Sequence, residues 1–132
     1  MSHIKGSCNC ESVKFQISGD IKKTLNCHCK LCRKMNGAVF STYAVVLTSD
    51  FSLLTGKLNS FKVSESATKH FCGKCGTPIY NTNPKFAGLN ILHFGSLDLS
   101  PELVPDVNIY CESEITWAKS LNTIPSLQNG IE

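Results

Sequence analysis

The polar and apolar positions of this chain alternate in short bursts, the signature of strands with one buried face. Residues 12–17 (Ser-Val-Lys-Phe-Gln-Ile) switch character at every step. Residues 39–46 form a β-branched and aromatic run, 61–63 alternate again, and 89–94 and 107–110 complete the predicted strands. Gly19-Asp20, Gly56, Asn83-Pro84, Gly88, Gly95 and Pro101 or Pro105 punctuate them as turns. No long window carries helical periodicity. The one predicted helix is a turn or two from Lys30 to Asn36, closed by Gly37. A mostly β, antiparallel architecture follows.

With 132 residues, 42% of them hydrophobic, the chain is long enough to bury a core of its own, and no repeat or linker divides it, so a single domain over 1–132 is expected. Its longest clean apolar stretch, residues 44–47, is far short of the roughly 20 needed to cross a bilayer, which excludes a membrane span by helix. The opening Met1-Ser2-His3-Ile4-Lys5-Gly6-Ser7 has no apolar signal segment, which points to the reducing cytoplasm.

Seven of the eight cysteines fall in three clusters: Cys8 and Cys10; Cys27, Cys29 and Cys32; Cys72 and Cys75. A disulfide framework is the competing explanation for an even count, but a cytoplasmic chain of this size needs no staples, and neighbours in Cys-x-Cys make awkward disulfide partners. Metal ligation fits better. In an extended strand residues two apart share a face, so Cys8 with Cys10, and Cys27 with Cys29, can each offer two sulfurs to one ion. In Cys72-Gly73-Lys74-Cys75-Gly76 a tight turn does the same, its glycines permitting backbone N–H groups to fold toward sulfur. A structural zinc takes four ligands and a catalytic one three plus an open position, so seven thiolates divide as four and three, implying two Zn2+ ions.

Spacing leaves the pairing open, since Cys8 and Cys10 could join either remaining cluster. It also leaves open whether water, a substrate thiol or a protein group such as His70, His93 or Cys111 completes the middle site; His28 points away from its neighbours in an extended segment. Cys111, isolated, reads as an inert thiol. The formal charge of +3 suggests a nucleic-acid partner only while the cysteines count as neutral; seven thiolates and two divalent cations bring it to zero, and no nucleic acid is expected. Lys22, Lys23, Lys30, Arg33 and Lys34 surround the middle cluster, where they either stabilise thiolates or form a solvated surface.

The ordered motifs Gly6-Ser7-Cys8-Asn9-Cys10, Cys27-His28-Cys29-Lys30-Leu31-Cys32-Arg33 and Phe71-Cys72-Gly73-Lys74-Cys75-Gly76-Thr77 resemble those of the glutathione-dependent formaldehyde-activating enzymes, a family that includes centromere protein V. Gly37-Ala38, Leu54-Thr55-Gly56, Gly95-Ser96-Leu97-Asp98, Ile109-Tyr110 and Trp117 extend the likeness over nearly the whole chain. The resemblance implies a mostly β fold of several small coiled antiparallel sheets around two zinc sites, with a short helix after the middle cluster. It implies a structural zinc on Cys8, Cys10, Cys72 and Cys75 and a second, catalytic zinc on Cys27, Cys29 and Cys32. It further implies a carbon–sulfur lyase forming S-(hydroxymethyl)glutathione from formaldehyde, with a small thiol such as glutathione as partner. An alternative is a zinc-binding interaction module, since the fold also resembles chaperones of small GTPases. Three thiolates leave the second zinc site with a net charge of −1, which favours binding a thiol over polarising a carbonyl. The chain departs from the common family pattern at Lys69, Asn108 and Thr116, where relatives often carry arginine, histidine and proline. Tyr80, Phe94 and Trp117 are candidates for a cleft lining, although large aromatics more often serve the core.

Overall fold

The computed structural model describes residues 3–98 and 102–131; Met1 and Ser2 of the opening segment and the predicted turn at Pro101 lie outside the described residues. The alternation at 12–17 becomes strand β2 (Lys14–Ile17), whose Phe15 and Ile17 are fully buried while Lys14 faces solvent. It is flanked by β1 (Ile4–Ser7) and β5 (Phe51–Thr55) in a three-stranded antiparallel sheet. The remaining strands are β3 (Lys23–Cys27), β4 (Ser41–Leu47), β6 (Leu58–Lys62), β7 (Thr68–Cys72), β8 (Pro78–Thr82), β9 (Leu89–His93) and β10 (Val107–Ile109). They form a seven-stranded sheet in the order β10-β3-β4-β9-β8-β7-β6. Its pairings are antiparallel except that β10 runs parallel to β3.

The helix α1 (Lys30–Asn36) is where the sequence places it. Cys29 caps its start, the sulfur accepting from the Cys32 N–H at 3.2 Å, and Gly37 closes it with a left-handed φ of 63°, its N–H donating to the Arg33 carbonyl. The strand predicted at 39–46 begins two residues later, and that at 61–63 is the end of β6. Tyr110 is no longer strand but takes a left-handed φ of 56°.

The core joins the two sheets. Val13, just before β2, and Phe15 and Ile17 from the small sheet meet Ala44, Val46, Ile79 and Leu92 from the large one, and Cys8 and Cys72 belong to the same cluster. Phe15 stacks on Phe51 at 5.3 Å between ring centroids. Gly6 lets β1 pass directly over the Phe15 ring and the Ser96 carbonyl, where a Cβ has no room. Among the described residues no helix is long and apolar enough to cross a membrane.

Two substitutions check this packing. Gly6→Ala pushes a methyl into Phe15 and backbone and is expected to cost about 1–3 kcal/mol of unfolding free energy in denaturant titration. Phe15→Ala, which opens a cavity where the sheets meet, is expected to cost about 3–5 kcal/mol.

Candidate metal centres

The first centre is made by two loops. Cys8 follows β1 directly, and Asn9 and Cys10 sit in a turn rather than in the extended strand the spacing suggested, with Glu11 at a φ of 64° turning the chain into β2. The two sulfurs converge because the chain folds, not because it alternates. Cys72 ends β7 and Cys75 lies in the tight turn before β8, where the Gly76 N–H returns to the Cys72 carbonyl at 2.9 Å. Of the two glycines in that turn only Gly76 takes a positive φ, 80°.

The sulfurs of Cys8, Cys10, Cys72 and Cys75 all lie within 4.8 Å of one another. Cys8 to Cys10 is 3.6 Å and Cys10 to Cys72 is 3.8 Å. A tetrahedron of sulfurs each about 2.3 Å from zinc has edges of about 3.8 Å. A disulfide needs about 2.05 Å, and all eight cysteines are free. The donor set therefore fits a tetrahedral ion.

Its surroundings stabilise thiolates. Val13 N–H donates to Cys8 Sγ at 3.2 Å, and Lys74 N–H and Cys75 N–H to Cys72 Sγ at 3.3 and 3.5 Å. The Ser12 hydroxyl lies 3.1 Å from Cys10 Sγ and 3.4 Å from Cys72 Sγ. It and the turn amides hold the Cys72 thiol down at about 7. Asn9 N–H donates to Thr77 Oγ1 at 3.0 Å, leaving the Thr77 hydroxyl to face Cys75 Sγ at 3.2 Å; Thr77 brings Cys75 down to about 5.

The second centre gathers Cys27, Cys29 and Cys32, whose sulfurs again lie within 4.8 Å of one another; no fourth cysteine, histidine or carboxylate joins them among the described residues. Cys27 ends β3, Cys29 caps α1 and Cys32 sits in its first turn, so a strand end and a helix start replace the single extended segment expected. The closeness of the Cys27 and Cys32 sulfurs pushes the Cys27 thiol down and, together with burial, the Cys32 thiol up. The Tyr43 hydroxyl donates to Cys32 Sγ at 3.1 Å and is held by Asn36 Nδ2 at 3.1 Å.

These three sulfurs sit in a cleft of about 310 Å³ between the β3–β4–β9 face and the end of β10. Leu25, Val45, Leu89, Ile91 and Ile109 make its walls. Asn81 and Thr82 supply polar groups, and Phe86 and Tyr110 stand half in solvent beside it.

A match to the family described as glutathione-dependent formaldehyde-activating enzyme runs over residues 3–113 and takes in both centres. The chain belongs to this family. Relatives from Fusarium vanettenii, Phaeosphaeria nodorum and Sordaria macrospora carry its name provisionally. They are 31%, 30% and 30% identical over 93, 102 and 96 residues, which cover 65%, 69% and 69% of this chain. The matched regions span 50%, 53% and 40% of those relatives, so the chain accounts for about half their length. A crystal structure of a Rhodobacter sphaeroides protein shares the fold at 19% identity, with a TM-score of 0.61 over 79% of this chain and 97% of that one.

The other residues singled out in the sequence of this family member have settled roles. His28 is buried, with Nε2 donating to Asn108 Oδ1 at 3.2 Å and the ring 5.0 Å from Phe40. His70 stacks on Tyr80 and meets Thr82 at 3.0 Å, and His93 Nε2 donates to Asn81 Oδ1 at 3.0 Å, so neither joins the three sulfurs. Cys111 is exposed and stands apart from both centres. Of the basic residues, Arg33 donates to the Ser113 carbonyl at 2.9 Å. Burial pushes Lys69, a residue the sequence marked only as a departure, down from its ordinary value, with the charge of Cys32 acting the other way; its Nζ donates to Asn36 Oδ1 at 2.8 Å. Trp117 is exposed, Tyr80 and Phe94 pack against the core, and none of the three lines the sulfur cleft. Its aromatics are Tyr43, Phe86 and Tyr110. The Tyr43 position in a buried strand, and the Asn83-Pro84 turn that carries Phe86, were the available signals.

Zinc-loaded protein is expected to hold two ions by elemental analysis, and Cys75→Ser one. Ser12→Ala is expected to weaken the first ion about 10- to 100-fold in a chelator competition. A pH dependence tests the burial of His93, which packs edge-on against Tyr43 at 5.0 Å between ring centroids. Burial, reinforced by Lys69, holds His93 at about 3, so the folded ring is neutral while the unfolded one takes up a proton near the ordinary 6.5. This contribution to stability is complete above about 6.5 and is lost as pH falls toward 3. His93→Gln is expected to flatten that part of the profile of Tm against pH relative to the parent.

Proposed function

We propose that Cys8, Cys10, Cys72 and Cys75 hold a structural zinc, that Cys27, Cys29 and Cys32 hold a second, and that the second centre catalyses carbon–sulfur chemistry of the lyase class. The reaction is addition of a thiol such as glutathione to a small aldehyde such as formaldehyde, giving an S-(hydroxymethyl) adduct. The observation that carries this reading is three convergent sulfurs that all line one ligand-sized apolar cleft, whereas of the four-sulfur cage Cys8 alone borders an open polar groove among the described residues. Zinc with three protein ligands, when bound, keeps an incoming thiol as its nucleophilic thiolate at neutral pH.

The chain's own residues position and protect the reaction. The new bond joins sulfur to the carbonyl carbon, the π pair of the carbonyl moves to oxygen, and the proton given up by the thiol ends on that oxygen. Nothing is oxidised or reduced. The Tyr43 hydroxyl and the Cys32 N–H direct hydrogen bonds at the ligating sulfurs, and the Lys69 ammonium offsets their negative charge. The apolar walls limit water around the reacting atoms.

The test is thiol-dependent consumption of formaldehyde above a matched protein-free blank, because thiols add to formaldehyde unaided. Cys32→Ser is expected to lose that acceleration, by about 100-fold or more, and one ion, while keeping the other ion and most of the thermal stability. A variant that loses both ions overturns the division of ligands. Parent protein that never exceeds the blank with any thiol overturns the enzymatic reading.

A further inference from the structure

The chemistry of the cleft is at odds with a highly charged ligand. No lysine, arginine, histidine, aspartate or glutamate lines it among the described residues. Of the cations around the three cysteines, Lys69 donates to Asn36 Oδ1 and the Met35 carbonyl and Arg33 to the Ser113 carbonyl, while Lys30 and Lys34 are exposed on α1 and line no part of the cleft. Lys62 and Glu65 line an adjoining groove that meets the cleft at Thr82, Asn83, Phe86 and Leu89, outside the apolar walls around the sulfurs. Glutathione carries two carboxylates and an ammonium, and drawing such groups among apolar walls without partners is costly.

The rim points the same way. Phe86 is 52% exposed and Tyr110 58% exposed, and both line the cleft. Tyr110 holds its place with a φ of 56°, a backbone region that non-glycine residues occupy only when surroundings enforce it. Two large aromatics half in water beside an apolar cavity gain most by closing on an apolar body. The cavity, about 310 Å³, is at the small end for organic ligands.

We propose that the preferred thiol of this centre, or its aldehyde adduct, has an uncharged apolar body, of the arylmethanethiol or short alkanethiol class, clasped between Phe86 and Tyr110 with its sulfur at Cys27, Cys29 and Cys32. This rests on the reading of the second centre as an open thiol-binding site. It adds that the cleft selects against the tripeptide for which the family is named.

Protein loaded with Co2+ as a spectroscopic probe reports thiolate binding through its sulfur-to-metal absorption, independently of turnover. Phenylmethanethiol is expected to half-saturate the change at a concentration at least about tenfold below that of glutathione. Phe86→Ala and Tyr110→Ala are each expected to raise the phenylmethanethiol value by about tenfold and to leave the glutathione value within about twofold, which also shows that the variants are folded. Glutathione binding as tightly as phenylmethanethiol, or rim variants that weaken both thiols equally, overturns the inference and leaves the proposed function standing. A spectrum that neither thiol alters overturns both.

Discussion

Four sulfur atoms from loops some sixty residues apart lie within 4.8 Å of one another, and the architecture depends on whatever makes that closeness favourable. Thiols are weak hydrogen-bonding groups, and thiolates repel at this range, so a cation among them would lower the energy of the arrangement. The sulfur separations match the edges of a zinc tetrahedron, and the amides of Val13, Lys74 and Cys75 aim at the sulfurs as they do around a thiolate. Because Cys8 and Cys72 are also core residues, the cage joins the β1–β2 hairpin of the small sheet to the β7–β8 hairpin of the large one. With the proposed zinc in place, such a junction would stabilise the fold through metal binding, since the unfolded chain offers no preassembled site.

The second centre is positioned by a different device. β10 pairs in parallel with β3, aligning Ile109 with Cys27, and the His28 N–H reaches across to the Ile109 carbonyl at 3.0 Å. The buried His28 ring adds its bond to Asn108, which also accepts from Asn26 Nδ2 at 3.0 Å. Asn108 thus serves as an acceptor shared by two donors. These links fix the end of β10 over the sulfurs and swing Tyr110 to the cleft mouth. A neighbour of two ligands is therefore a fastener rather than a ligand.

Much of this could be read from the residues alone, for identifiable reasons. The helix at Lys30–Asn36 was legible because Gly37 supplies a stop signal that works locally, and β2 because one of its faces is buried and the other wet. Strand β3 was not, because it buries Thr24, whose hydroxyl donates to the Val104 carbonyl at 2.9 Å and whose N–H donates to Asp106. That polarity is needed to hold a segment eighty residues away, which no local pattern discloses. Strands β5 and β7 lack alternation altogether, and β8 opens on a proline. The cysteine clusters were plain in their spacing, yet the backbone that delivers them was not: Glu11 at a positive φ makes a turn where alternation suggested a strand. The cleft aromatics come from a strand, a 3-10 turn and a left-handed residue, so nothing in sequence gathers them.

The two centres use one kind of ligand and differ in how its charge is screened. Around the four-sulfur cage, three backbone amides and the hydroxyls of Ser12 and Thr77 attend the sulfurs, and Cys8 borders a polar groove, so negative charge there is spread into the backbone and the solvent. Around the three sulfurs the attendants are one amide, the Tyr43 hydroxyl and the more distant Lys69 ammonium, with apolar side chains on the remaining side. Negative charge beside such walls is poorly screened, which disfavours a second anionic group on an arriving molecule more strongly than it disfavours the sulfur that binds. The selectivity and the reactivity proposed for this cleft thus rest on the same low polarity, and a substitution that hydrates the walls would alter both together.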